Sequence, residues 1–155
     1  MDNLPRFFFY VTGLILVSSS LILFTSELLP LVNDTGTRGL IVLLGYGFCY
    51  MNIVLVSSRR FMRRLDGSSV GPYLLGFIVF LPPACWVFIY EAIYGSALFL
   101  FLATLMLACG AGAYAGHKIG LKAQIKFQEQ IRKYLARDGR LPEELQRPHD
   151  QLNKN

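Results

Sequence analysis

Four long stretches without a charged residue constrain this chain more than any other feature. No Asp, Glu, Lys or Arg occurs in residues 7–26, 39–58, 67–90 or 92–116. Each stretch is long enough to cross the hydrocarbon core of a bilayer as a helix, which takes about 20 residues. The stretches lack the alternating pattern of a barrel strand, and in lipid an α-helix satisfies its own backbone. The sequence therefore predicts an all-α membrane protein with four transmembrane helices.

The overall composition supports this class. Charged residues make up 16% of the chain and hydrophobic residues 54%, whereas soluble domains carry roughly 25% charged residues. We predict a transmembrane domain over residues 1–116. Its four helices are expected at about 7–31, 39–57, 70–90 and 93–115.

The basic residues predict the orientation in the membrane. If the connections alternate between the two sides, every Lys and Arg except Arg38 falls on the side that holds both termini. By the positive-inside rule that side is the cytoplasm. We therefore expect two antiparallel helical hairpins in a bacterial inner (plasma) membrane, with the N- and C-termini cytoplasmic. The connection between the hairpins contributes four candidates for lipid or partner docking: Arg59, Arg60, Arg63 and Arg64.

A basic amphipathic helix is predicted over residues 117–138, followed by a polar tail at 139–155. Two interpretations remain open. The helix lies on the anionic inner leaflet, or it continues the fourth span into the cytoplasm and docks on a protein. Its charged half adds the remaining docking candidates: Lys118, Lys122, Lys126, Arg132 and Lys133.

Small residues in the fourth span predict a helix-packing interface. Ala108, Gly112 and Gly116 recur at every fourth position, a spacing that lets two helix backbones approach closely. The pattern does not identify the neighbour, which is helix 1 or helix 2 of the same chain or a helix of another subunit. We expect at least one intermolecular contact, because four helices do not easily cover every thin face internally.

Two consecutive prolines in the third span, Pro82 and Pro83, predict a kink. They have no amide hydrogen to donate to the carbonyls of Ile78 and Val79, so other groups must serve those oxygens. The polar candidates nearby are Thr104 and the serine run at 18–20.

Ionisable and hydroxyl residues in the spans raise the alternative of a transport pathway. By helical rise, both Glu27 and Glu91 are expected near the outer interface, either as solvated turn residues or as the mouth of a cation pathway. Ser19 and Thr104 are the candidates for the lining of such a pathway.

No catalytic, cofactor-binding or metal-binding motif is present in the sequence. We therefore expect a non-catalytic small membrane subunit, an accessory or assembly component of a larger bacterial inner-membrane complex. Its expected partners are anionic lipid and other membrane subunits or further copies of itself, with no nucleic acid. The alternatives are a small oligomeric ion channel or transporter, and a membrane immunity or exclusion protein.

Overall fold

The computed structural model describes residues 3–34, 36–64, 70–90 and 93–138, with side chains for 7–34, 36–62, 70–89 and 93–133. The described residues form helices and no strand. In chain order the elements are α1 (Asn3–Phe24), a 3-10 helix (Ser26–Asn33), α2 (Thr37–Arg64), α3 (Gly71–Tyr90) and α4 (Gly95–Asp138).

Four helices are long and apolar enough to cross a membrane. Their candidate spans are Phe7–Phe24, Thr37–Met62, Gly71–Ile89 and Gly95–Lys133. The prediction of an all-helical protein with four membrane-spanning candidates is confirmed in this respect.

The first helix ends earlier than the predicted 7–31. The α-helix stops at Phe24, and Ser26–Asn33 continues as a 3-10 helix with Leu29 and Val32 buried. Pro30 contributes to the change, because it has no amide hydrogen for the carbonyl of Ser26, four residues earlier. At the junction the carbonyl of Thr25 accepts from the Leu28 amide at 2.9 Å, which is the three-residue spacing of a 3-10 helix.

The second and fourth helices are longer than predicted. α2 continues to Arg64 instead of ending near residue 57, so Arg59 and Arg60 lie on a helix. α4 is helical from Gly95, whose φ of 54° suits glycine, to Asp138, without a break between 115 and 117. Gly116 and Gly120, where a bend between the span and the basic segment would be possible, lie instead in the contact between α2 and α4 described below.

Buried apolar side chains from all four helices form the core. Three hydrogen bonds join α1 and the residue after it to α2, pairing Tyr10 with Ser57, Ser18 with Tyr50, and Thr25 with Tyr46. The residue numbers increase along α1 while those of their partners decrease along α2, so these two helices run in opposite directions. The fully buried large side chains include Ile22, Leu29, Tyr50, Val54, Leu75, Val79, Val87, Phe101 and Leu105.

The chain divides into two units after Gly120. The first holds the bundle. The described part of the second is the final section of α4, from Leu121 to Asp138, in which Leu121, Ile125 and Phe127 are exposed and Ile131 is buried.

Candidate functional site

A close contact between helix backbones joins α4 to α2. A methyl group placed on Gly112 would lie 2.5 Å from the carbonyl oxygen of Met51 and 3.2 Å from Cβ of Val54. No real Cβ tolerates the first distance against a backbone atom. The two backbones therefore touch, and glycine is required at this position.

The same contact extends along both helices. At Gly116 a methyl group would lie 2.8 Å from the carbonyl oxygen of Leu55, and at Gly120 it would lie 2.6 Å from Cβ of Met62. In the other direction Cβ of Ala108 lies 3.8 Å from the corresponding point on Gly47. The predicted packing stripe, Ala108, Gly112 and Gly116, thus faces α2 of the same chain, and Gly120 extends it.

The proline pair lies within α3 and does not end it. Pro83 is buried and Pro82 half-buried. The carbonyl of Val79, which Pro83 cannot serve, accepts a hydrogen bond of 2.7 Å from the Ser18 hydroxyl of α1. One member of the serine run therefore replaces the missing amide donor.

Tyrosine hydroxyls provide the other polar contacts between α1 and α2. Tyr50 donates to the carbonyl of Ser18 at 3.0 Å, so α1, α2 and α3 meet at one buried polar point. Tyr46 donates to the carbonyl of Thr25 at 2.7 Å, where α1 ends. Tyr10 donates to the carbonyl of Ser57 at 2.8 Å.

These tyrosines were not among the residues identified from the sequence. Tyr46 and Tyr50 are one helical turn apart in a span that is otherwise mostly apolar, which is the available signal. Choosing their acceptors requires the register between α1 and α2, which no local pattern contains.

The candidate pathway residues are dispersed over different environments. Glu27 is exposed on the 3-10 helix, and Ser19 and Thr104 are half-buried. Cγ2 of Thr104 lies 3.2 Å from where a methyl group on Gly47 would be, so Thr104 belongs to the contact between α2 and α4. Glu91 lies outside the described residues. No hydrogen bond joins Glu27, Ser19 and Thr104 within the part of the chain that the structure describes.

The basic candidates with described side chains are all exposed. Arg59 and Arg60 lie near the end of α2, and Nζ of Lys118 sits 4.6 Å from the ring centroid of Tyr114. Arg63 and Arg64 belong to α2, but their side chains are outside the described set. In the second unit the exposed cations are Lys122, Lys126, Arg132 and Lys133.

A hydrogen bond connects the segment that precedes α2 to the segment that precedes α4. The amide of Tyr94 donates to Oδ1 of Asn33 at 3.1 Å. Ile93, the residue before Tyr94, is buried, and so are Leu29 and Val32 of the 3-10 helix.

The described residues pack the helices against one another and place Lys and Arg side chains on the surface. Among the described residues no group of three His, Cys, Asp or Glu side chains is placed to hold a metal ion. Comparison with known protein families, with curated proteins and with solved structures finds no match.

Proposed function

We propose that this protein is a non-catalytic membrane subunit, an accessory or assembly component of a larger complex in a bacterial inner membrane. The observation that carries the proposal is the use of the buried polar groups. The Ser18 hydroxyl, the Tyr50 hydroxyl and the Val79 carbonyl are all engaged in bonds between helices. A transport pathway requires polar groups that face its lumen. Because these polar groups instead bond one helix to another, they favour a non-conducting subunit.

We further propose that the four helices cross the membrane as two antiparallel hairpins with cytoplasmic termini. The contacts between α1 and α2 support the first hairpin. The close approach of Gly76 to the Cys109 carbonyl, together with the pairing of the Tyr73 and His117 rings, supports the second. The distribution of Lys and Arg supports the orientation.

Reporter fusions test this topology. Reporters fused after Asn155 and inserted at Ser68 are expected in the cytoplasm, and one inserted at Thr35 is expected outside. An external C-terminus would contradict the orientation and the assignment of the basic surface.

The exposed cations are proposed to bind the anionic inner leaflet. α2 contains no acidic residue, and α4 contains none before Glu129, so Arg59, Arg60 and Lys118 have no carboxylate on their own helices near them. Basic residues beside a membrane gain about 1 kcal/mol each from an anionic surface. The cations Lys122, Lys126, Arg132 and Lys133 of the second unit are exposed in the same way and add to the positive charge available to the leaflet.

Purification in mild detergent tests the subunit proposal. The full chain is expected to migrate with other membrane proteins at a fixed ratio that persists in two detergents. Purified protein is then reconstituted alone into liposomes and ion flux is measured. Protein that purifies without companions and conducts ions would contradict the proposal and support the channel alternative.

A further inference from the structure

Four side chains where α3 begins and α4 leaves its apolar section offer hydrogen-bond donors and have no acceptor. The ring of Tyr73 on α3 pairs with the ring of His117 on α4, with centroids 6.5 Å apart. Tyr114, His117 and Lys118 follow one another at a spacing that places them on one face of α4. We call Tyr73, Tyr114, His117 and Lys118 the donor cluster.

Lys118 gives the donor cluster a positive charge without a counter-ion. Its Nζ lies 4.6 Å from the ring centroid of Tyr114, a contact that positions the ammonium but provides no acceptor oxygen. α2 and α3 contain no acidic residue, and the first one in α4, Glu129, comes about three turns later. Lys118 makes no ion pair within the described residues.

His117 adds a second nitrogen donor. The side chain is half-buried, and its Nδ1 is buried without a hydrogen-bond partner, which leaves Nε2 as the ring nitrogen that a ligand can reach. A neutral imidazole carries one N–H, and a buried donor without an acceptor is costly. The proton is therefore better placed on Nε2, where His117 offers an N–H to its surroundings.

The two tyrosine hydroxyls of the donor cluster also lack acceptors. Tyr73 and Tyr114 are exposed, and neither hydroxyl makes a hydrogen bond within the part of the chain that the structure describes. Tyr10, Tyr46 and Tyr50 differ, since each of these donates to a backbone carbonyl. A set of donors that includes a cation fits a ligand with acceptor oxygens and negative charge.

An apolar surface continues from the donor cluster toward the middle of both helices. Phe77 lies one turn along α3 from Tyr73, and Leu107 lies two turns along α4 from Tyr114; both are exposed. Gly110 lies between Leu107 and Tyr114, and a methyl group there would meet nothing within 4 Å. A ligand at this position therefore meets polar groups at one end and an apolar strip at the other.

The donor cluster lies at the level expected for lipid headgroups. Tyr73 is in the first turn of α3, and Lys118 comes directly after the charge-free stretch of residues 92–116. Tyr and Lys side chains are typical of the boundary between hydrocarbon and water, where an apolar stem and a polar tip are both satisfied. A phospholipid offers phosphate oxygens at this level and an acyl chain below it.

We propose that the donor cluster binds the phosphate of an anionic phospholipid, whose acyl chain lies along Phe77 and Gly110. The phosphate oxygens accept from Nζ of Lys118 and from Nε2 of His117, and the tyrosine hydroxyls supply further donors. This site rests on the proposed contact with the anionic leaflet and gives that contact a discrete position. A headgroup without an ammonium group is preferred, because a second cation beside Lys118 is repelled.

Lipid binding to the purified full-length protein tests the proposal. Delipidated protein in mild detergent is titrated with dioleoylphosphatidylglycerol, and native mass spectrometry measures the lipid bound per chain. Binding is expected to saturate at a fixed ratio of lipid to chain. Dioleoylphosphatidylcholine is expected to bind at least about tenfold more weakly, because its ammonium meets Lys118.

Variants locate the site. Lys118→Gln is expected to weaken binding of dioleoylphosphatidylglycerol at least about tenfold, because a charge-assisted hydrogen bond is lost. His117→Phe keeps a ring against Tyr73 and removes the N–H, so binding is expected to weaken about fivefold. The matched control is Lys126→Gln, which changes another exposed lysine of α4 and is expected to bind as the parent does. All three variants are expected to unfold at the parent temperature.

Three outcomes would overturn the proposal. The first is binding that does not saturate. The second is equal weakening by Lys118→Gln and Lys126→Gln, because the attraction would then come from the total surface charge. The third is displacement of the lipid by inorganic phosphate at equal concentration, which would identify a soluble anion as the ligand.

The measurement in detergent does not depend on the orientation of the chain or on its companions. Absence of a lipid site would leave the topology to the reporter fusions and the subunit proposal to copurification. An external C-terminus would contradict the inner leaflet as the source of the lipid, while saturable binding that depends on Lys118 would still establish the site.

Discussion

The contact between α2 and α4 and the contact between α1 and α2 hold neighbouring helices together in different ways. The contact between α2 and α4 depends on the absence of side chains, because Gly112 and Gly116 have none to separate the two backbones. The second depends on atoms that are present, namely tyrosine hydroxyls that reach carbonyls of the adjacent helix. Both occur within one bundle, and α2 takes part in both.

The difference predicts how each contact responds to substitution. A glycine contact is lost when any atom is added, since the backbone on the other side cannot move away locally. A hydroxyl contact is weakened when one atom is removed, and the packed ring remains in place. Interhelical hydrogen bonds in membranes contribute about 0.6 kcal/mol on average, whereas overpacking costs about 1–3 kcal/mol.

The largest effect is expected for Gly112→Leu. Its side chain would have to occupy the space of the Met51 carbonyl, so we expect a loss of about 3 kcal/mol or failure to accumulate in the membrane. The measurement is the free energy of unfolding in mixed micelles, with abundance as a second readout. Gly110→Leu, two residues away and open within 4 Å, is the control. Equal tolerance of both variants would show that α4 does not pack on α2 as described.

A smaller effect is expected for Ser18→Ala. The change leaves the Val79 carbonyl without its donor, so we expect a cost of about 1–2 kcal/mol in the free energy of unfolding. The proline explains the need for this donor. In a Pro83→Ala background an amide hydrogen is restored, and Ser18→Ala is expected to cost less than half as much. Identical costs in the two backgrounds, measured as a double-mutant cycle, would refute the coupling.

A still smaller effect is expected for Tyr46→Phe. The ring stays packed against Phe101, with centroids 5.5 Å apart, and the hydroxyl loses only its contacts with the carbonyl and hydroxyl oxygens of Thr25. We expect a cost of about 0.6 kcal/mol and faster amide exchange where α1 passes into the 3-10 helix. Tyr114→Phe, at a half-exposed position on α4, is the control and is expected to leave both measurements unchanged.

The smallest effect is expected for Glu27→Gln, alone or with Glu91→Gln. Glu27 is exposed on the 3-10 helix, so insertion and abundance are expected to stay at parent levels. Ion flux into liposomes is the decisive measurement for the pair. A loss of flux that grows at low ionic strength, at normal protein level, would instead support a cation pathway.

The four helices were predictable because a span in lipid requires an uncharged sequence of fixed length. Their ends were less predictable. The charges of Arg59 and Arg60 suggest a connection between helices, yet α2 continues through both residues. The physical reason is that Ser58 and Met62, on another face of α2, pack against α4. Charged residues indicate where a helix leaves the lipid, whereas contacts with a neighbouring helix determine the residue at which it ends.

The candidate interfaces show a similar limit. The four-residue spacing of Ala108, Gly112 and Gly116 indicates a thin face, but nothing in that spacing selects α2 over another subunit. The proline pair indicates an unserved carbonyl and the serine run indicates donors. Which serine reaches Val79 depends on the rotation of α1, and Ser18 faces the bundle while Ser20 faces outward.

The contact between α2 and α4 also has a consequence for the order of biosynthesis. The ribosome delivers α4 after α2, so the surface of α2 around Gly47, Met51 and Leu55 meets its neighbour only when residues as late as Gly116 have been translated. Until then this part of the α2 backbone has no glycine face to pack against. A chain that stops short of Gly112 never forms the contact with Met51 and is exposed to quality control.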